Sequence, residues 1–211
     1  MRAAIALGSN LGDRLANLQR ARDQIRALDG MTEPTVQSAV YETSPLDCEP
    51  GAQNFYNAVI EVGFEKSADA LLEALQKIES ALGRERITPS PQSSPLGRGG
   101  HRPRVSRESG REAVHRPRVS WESGREAVRE APGEGKVSRT IDLDLLYFGS
   151  ERRSDAQLQL PHPRMTERKF VLQPLCDIAP DLRLPGQTKN VGELLAQLRD
   201  EAKITRLTET W

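Results

Sequence analysis

Arg139-Thr140-Ile141-Asp142-Leu143-Asp144-Leu145-Leu146-Tyr147-Phe148 reads as an apolar strand interrupted by two aspartates, and the rest of the chain arranges itself about it. Side chains on one face of a strand recur every second residue, so Asp142 and Asp144 point the same way, roughly 7 Å apart, while Leu143 and Leu145 point into a core. Aspartate is a poor strand former, and two in one strand call for a compensating partner. Arg139 can fill that role, or bind phosphate. Two carboxylates on one face seat a hard divalent cation such as magnesium, which accepts one or two protein carboxylates and completes its shell with water and phosphate oxygens. Spacing alone fits a half-exposed strand with a polar outer face equally well, and the motif names no substrate.

At the start of the chain, Ala3 to Leu7 is a second buried strand, ended by Gly8-Ser9-Asn10. Leu11, Leu15, Leu18, Ile25 and Leu28 then recur at helical spacing, with Arg14, Arg22 and Arg26 on the other face, and Asp29-Gly30 stops the helix. Val36, Ser38 and Val40 alternate with polar or small residues up to Tyr41, a half-buried strand. Phe55 to Phe64 is another, with Tyr56, Ala58, Ile60 and Val62 on one face and Phe55, Asn57 and Val59 on the other. Ser67 caps a helix that runs through Leu71, Leu75, Ile78 and Leu82 and closes at Gly83. Downstream of the acidic strand, Asn190-Val-Gly-Glu193 is a capping box ahead of Leu194, Leu195 and Leu198, and Ile204 to Leu207 is a last strand. This order predicts an α+β fold, a ferredoxin-like and mostly antiparallel sheet with packed helices, in which residues 36–42 pair with 55–64 as a hairpin.

Composition sets aside several classes. The 30 basic and 30 acidic residues cancel, so there is no overall basic field for nucleic acid. Residues 88–137 nevertheless hold ten Lys/Arg against six Asp/Glu, a basic insert in a mildly acidic body. Two 14-residue units, His101 to Val114 and His115 to Val128, follow one another and differ only at Arg107 and Trp121. With six prolines and seven glycines, residues 88–137 bury too little apolar surface to offset their ordering entropy. A long flexible insertion created by tandem duplication is expected there, within a single domain spanning 1–211. The apolar fraction of 36% reflects this insertion rather than a poor core. Cys48 and Cys176 have no Cys-x-x-Cys spacing and no histidine nearby, which argues against a disulfide framework or zinc site and leaves a single disulfide open. The start is apolar for too few residues to be a signal sequence, and no stretch approaches the length of a membrane span, so a cytoplasmic location is expected.

Several motifs, read together, carry a resemblance. They are Gly8-Ser9-Asn10-Leu11-Gly12-Asp13, Tyr41-Glu-Thr43-Ser-Pro45, Asn54-Phe55-Tyr56-Asn57-Ala58, Gln76-Lys-Ile-Glu79 and Leu82-Gly-Arg84-Glu-Arg86. Arg139-Thr-Ile-Asp142-Leu-Asp144, Leu160-Pro-His162-Pro-Arg164 through Arg168-Lys-Phe170-Val, and Asp177-Ile-Ala-Pro180 follow in order. In this order and spacing the chain resembles the 6-hydroxymethyl-7,8-dihydropterin pyrophosphokinase family over nearly everything except residues 88–137.

The resemblance implies an ATP- and magnesium-dependent diphosphokinase of folate biosynthesis that transfers diphosphate from ATP to 6-hydroxymethyl-7,8-dihydropterin and releases AMP. It implies two magnesium ions on Asp142 and Asp144, and Arg84, Arg86 and Arg139 as phosphate-handling arginines. It places Thr43, Pro45, Leu46, Phe55, Asn57 and Phe170 around the pterin, and Gln76, Glu79, Arg84, Arg139, Leu145, His162 and Arg168 around ATP. No nucleic-acid or membrane partner is implied, and a monomer is expected. Taken singly, each of these residues has an ordinary alternative: core for the phenylalanines, solvated surface for the arginines, His162, Gln76 and Glu79.

The family's loop before the Arg-Thr-x-Asp-x-Asp strand ends in Trp-Gly-Pro, where this chain has Lys136-Val137-Ser138. That departure leaves open a catalytically weakened member that binds pterin and ATP behind an altered lid. A ferredoxin-like RNA-binding module runs against the charge balance. An unrelated magnesium-dependent transferase leaves the pterin-side motifs unexplained.

Overall fold

A computed structural model describes residues 1–44, 53–84, 140–200 and 202–211. The chain runs β1 (Arg2–Ser9), α1 (Arg14–Arg26), β2 (Met31–Gln37), β3 (Val40–Thr43), β4 (Phe55–Phe64), α2 (Ala68–Arg84), β5 (Asp142–Phe148), β6 (Arg153–Ser154), β7 (Gln159–Leu160), α3 (Lys169–Ile178), α4 (Val191–Gln197) and β8 (Ile204–Thr208). Six strands form one antiparallel sheet in the order β5-β1-β4-β3-β8, and β2 pairs with β4 beside β3. With β2 and β3 counted as one interrupted strand, β1, β2/β3, β4 and β5 make the expected ferredoxin-like sheet. β8 extends it at one edge, and β6 and β7 form a separate small ribbon.

The two faces of the sheet carry separate cores. Alternation along β1 sends Ala3, Ile5 and Leu7 to one side and Ala4 and Ala6 to the other. On the first side Leu18, Ala21 and Ile25 of α1 and Leu71, Leu75, Ile78 and Leu82 of α2 pack over Ile60, Val62, Leu143 and Leu145. On the second, Val171, Leu172 and Leu175 of α3 and Val191 of α4 cover Val59, Leu146 and Tyr147. Consecutive residues Leu146 and Tyr147 share this second face because a bulge lies between the register pairs Ala4↔Tyr147 and Ile5↔Leu145. The second core covers only part of its face, and the uncovered end is where Asp142 and Asp144 emerge.

Some local expectations change. The helix expected from Leu11 begins at Arg14, because Asp13 is its N-cap and accepts a hydrogen bond from Ala16 N at 3.0 Å. The strand expected at 36–42 is two strands. Its break is filled by Ser38, whose Oγ accepts from Val59 N at 2.9 Å while its own N–H donates to Val59 O. Ser67 and the Asn190–Glu193 capping box cap α2 and α4 as expected. Helix α3 was not expected from the sequence, since Pro174 stands inside it. The 88–137 insertion lies outside the described residues. No helix among the described residues is long and apolar enough to cross a membrane.

Gly63, where β4 lies between β1 and β2, has no room for a side chain. A Cβ there would run into Thr32 Oγ1 and lie 2.8 Å from the Thr32 carbonyl oxygen. Gly63→Ala is therefore expected to lower stability by about 2 kcal/mol, a Tm fall of about 4–8 °C. A thermal melt unchanged within 1–2 °C or so would show that β2 yields freely.

Candidate active site

The floor of the site is the uncovered end of the second sheet face. Register aligns Asp142 with Gly8 and Asn57 along one row, and Asp144 with Ala6 and Val59 along the next. At this end of the face β1 presents only Ala6 and Gly8, so the acidic strand and Asn57 are separated by an open floor rather than by large side chains. A cleft of about 280 Å³ lies over it. Its lining includes Gly8, Thr43, Ser44, Phe55, Asn57, Asp142, Asp144, His162, Arg164, Arg168, Phe170 and Ala202.

The acids are held in place from both sides of β5. Ser9 Oγ donates to Thr140 O at 2.6 Å, and Asn17 Nδ2 donates to Ser9 Oγ at 3.1 Å, to Leu11 O at 2.9 Å and to Thr140 O at 3.2 Å. This is the physical use of Ser9 in the Gly8-Ser9-Asn10 turn: it ties the start of α1 to the entrance of the acidic strand. On the outer edge of β5, Glu79 Oε1 accepts the Leu143 N–H at 2.7 Å. Glu79, expected beside the nucleotide, thus fixes the backbone between the two acids. Among the described residues no group of three or more His, Cys, Asp or Glu forms a metal cage. Two cleft-facing carboxylates fit magnesium of the kind that completes its shell with phosphate oxygens and water.

One wall is aromatic and neutral. Asn57 is buried, and its Nδ2 donates to Thr43 Oγ1 at 2.8 Å. That bond uses one of the two Nδ2 protons and orients the amide, with Oδ1, an acceptor, on the Gly8 side. Phe55, at the start of β4, and Phe170, in the first turn of α3, are half-buried rings lining the same space.

The opposite wall is basic. The backbone N–H of His162 donates to Leu146 O at 2.8 Å and places the residue, and its ring Nδ1 accepts from Arg164 N at 3.3 Å. Burial pushes the His162 pKa down, opposed by the Asp144 charge and reinforced by Arg168 and Arg164. The ring is therefore neutral at pH 7, and with Nδ1 accepting, Nε2 carries the proton and is a donor. Burial, with Arg164 beside it, also lowers the Arg168 pKa, against the pull of Asp144 and Asp142. Arg168 remains a cation, as guanidinium groups do, and its guanidinium lies 5.5 Å from the centroid of the Phe170 ring.

The cleft thus gathers Thr43, Phe55, Asn57, Asp142, Asp144, His162, Arg168 and Phe170 from the residues singled out in the sequence. It does not gather Leu145, which is buried in the first core on the far side of β5, nor Gln76, which is exposed on α2. Pro45, Leu46, Arg86 and Arg139 lie outside the described residues, as does the side chain of Arg84, the last residue of α2. Arg164 and Ala202 line the cleft without having been singled out. Arg164 had a signal, as the third residue of His162-Pro163-Arg164. Ala202 had none, because its place depends on β8 joining β3.

A family model described as 7,8-dihydro-6-hydroxymethylpterin-pyrophosphokinase (HPPK) matches residues 4–94 and 114–180. A 2-amino-4-hydroxy-6-hydroxymethyldihydropteridine pyrophosphokinase of Methylorubrum extorquens is 34% identical over 206 residues, 98% of each chain. One of Bacillus subtilis is 35% identical over 176 residues, 83% of this chain and 77% of its own. Among solved structures, Plasmodium falciparum HPPK-DHPS, wild type with pteroate, matches with a TM-score of 0.54 at 14% identity. The match covers 92% of this chain and 42% of that one, so the chain spans under half of the fused protein and the likeness concerns the fold alone. With the family model matched across most of its length, the chain belongs to the 7,8-dihydro-6-hydroxymethylpterin-pyrophosphokinase family.

Proposed function

We propose that this chain transfers diphosphate from ATP to 6-hydroxymethyl-7,8-dihydropterin in folate synthesis, releasing AMP, as a magnesium-dependent cytoplasmic enzyme. The observation that carries the reading is the meeting, in one cleft, of an acidic strand, a basic wall and an aromatic slot with one oriented amide. A flat heterocycle fits between Phe55 and Phe170, and its amino-pyrimidinone edge offers N–H donors to Asn57 Oδ1. His162 Nε2, Arg164 and Arg168 donate to phosphate oxygens, and the two guanidinium groups keep their charge when desolvated.

Asp142 and Asp144 would hold magnesium, two ions by the family's pattern. Bound there, it neutralises triphosphate charge. The residues of the chain position and hold the reactants. The hydroxymethyl oxygen bonds to the β-phosphorus while the bond from that phosphorus to the bridging oxygen of the α-phosphate breaks. AMP leaves with the bridging oxygen, and the hydroxyl proton passes to solvent. No side-chain nucleophile is required, since placement and charge stabilisation account for this class of reaction.

Purified protein with ATP, magnesium and the pterin alcohol is expected to form AMP and the pterin diphosphate in equal amounts, and chelation of the metal is expected to stop both. ADP as product, or no nucleotide cleavage at saturating substrates, would overturn the reading.

A further inference from the structure

The family match ends at residue 180, yet the segment beyond it reaches the cleft. Helix α3 begins immediately after Arg168, whose side chain makes no capping hydrogen bond. The first N–H of the helix, that of Lys169, donates instead to Asp200 Oδ2 at 3.0 Å, from a residue 31 positions along the chain. The other oxygen of the same carboxylate, Oδ1, accepts from Ala202 N at 2.8 Å. Arg168 and Phe170, which flank Lys169, both line the cleft, and so does Ala202. Two residues beyond Ala202, Ile204 pairs with Thr43 as β8 joins β3. One carboxylate therefore joins two walls that the sheet alone does not connect, the start of α3 and the Thr43 edge.

We propose that Asp200 is a positioning residue of the pterin site, setting the place of the Phe170 ring over the slot that Phe55 and Asn57 form. A carboxylate at a helix N-terminus also meets the positive end of the helix dipole, so its charge and both its oxygens are used. The far end of the segment is held independently, by Trp211 in the first core with its Nε1 donating to Ser38 O at 2.8 Å. The proposal rests on the reading of the cleft as the pterin and ATP site. Arg168 has a long flexible side chain that can follow a displaced helix start, whereas the Phe170 ring cannot. Loss of Asp200 should consequently fall on the pterin and spare the nucleotide.

The test compares Asp200→Ala with Trp211→Phe, which removes the indole bond to Ser38 O and loosens the same segment away from the cleft. Asp200→Ala is expected to raise the KM for the pterin roughly tenfold, with the KM for ATP and kcat each changed less than about twofold. Trp211→Phe is expected to lower Tm and leave both KM values in place. A pterin KM unchanged by Asp200→Ala, or raised no more than by Trp211→Phe, overturns the proposal and leaves the function standing. Should Asp200→Ala fail to accumulate as folded protein, Asp200→Asn, which keeps the size and one acceptor, decides. A rise of about threefold in the pterin KM supports the assignment and no rise overturns it. A wild-type chain that releases no AMP overturns the function and this assignment together.

Discussion

Asp144→Asn is expected to lower kcat/KM for diphosphate transfer by about a thousandfold while leaving the far-UV circular dichroism unchanged. The amide is nearly isosteric with the carboxylate, so the substitution removes charge and metal-binding capacity without removing volume. Strand β5 keeps its ladder with β1, its Leu143 and Leu145 side chains in the first core, and its edge bond from Leu143 N to Glu79. The loss thus falls on charge stabilisation in the cleft, where a single preorganised group is commonly worth about a hundred- to a thousandfold. Activity within about tenfold of wild type would show that Asp144 is only a polar residue on an outer face.

Gly8→Val is expected to cut turnover sharply for a different reason. A Cβ on Gly8 would lie 3.3 Å from Asn57 Oδ1 and 4.0 Å from the Asp142 Cβ, on the row that joins the Asn57 amide to the acidic strand. The first methyl is already tight, and the branches of valine would stand in the floor of the cleft, where the proposed reading has the two substrates meet. Valine suits a strand, so the sheet should tolerate it. The expected result is a drop in kcat/KM of about a hundredfold or more, with Tm within a few degrees of wild type. Pterin binding should fall together with turnover, which equilibrium titration checks. A Gly8→Val protein that still turns over near the wild-type rate would mean that the reactants do not cross this floor.

The fold was legible wherever one physical rule acted alone. Short apolar runs identified β1 and β5, alternation described β4, and the two-residue period of a strand placed Asp142 with Asp144 and Phe55 with Asn57 on one face. These rules failed where long-range pairing decides. Leu146 and Tyr147 share a face because β1 and β5 slip by one residue, which nothing in their identities announces. Helix α3 was hidden by Pro174. The missing proline N–H falls inside the helix, but four of its residues are buried against the sheet, and that burial outweighs local propensity.

The candidate site was read mostly through resemblance, since a lone histidine or arginine on a turn has an ordinary surface explanation. What remained illegible was the division of labour. Glu79 looks like a solvent-facing helix residue until β5 is seen to run beside it, with its Leu143 N–H turned outward. Arg164 and Ala202 came to the cleft through the turn after His162 and the β8–β3 pairing, neither of which a local pattern records.

The two cores separate durability from chemistry. Helices α1 and α2 rest on a side of the sheet that holds none of the Asp142, Asp144, Asn57 or Phe170 side chains, whereas α3 shares its side with all four. Selection for heat resistance, in the laboratory or in nature, has room to work beneath Leu18, Ile25, Leu71 and Leu75 so long as Asn17 and Glu79 keep their hold on the acidic strand. Changes beneath Val171 or Leu175 move the helix that carries a wall of the cleft, and there, on the proposed reading, hardening the protein and preserving its speed become the same problem.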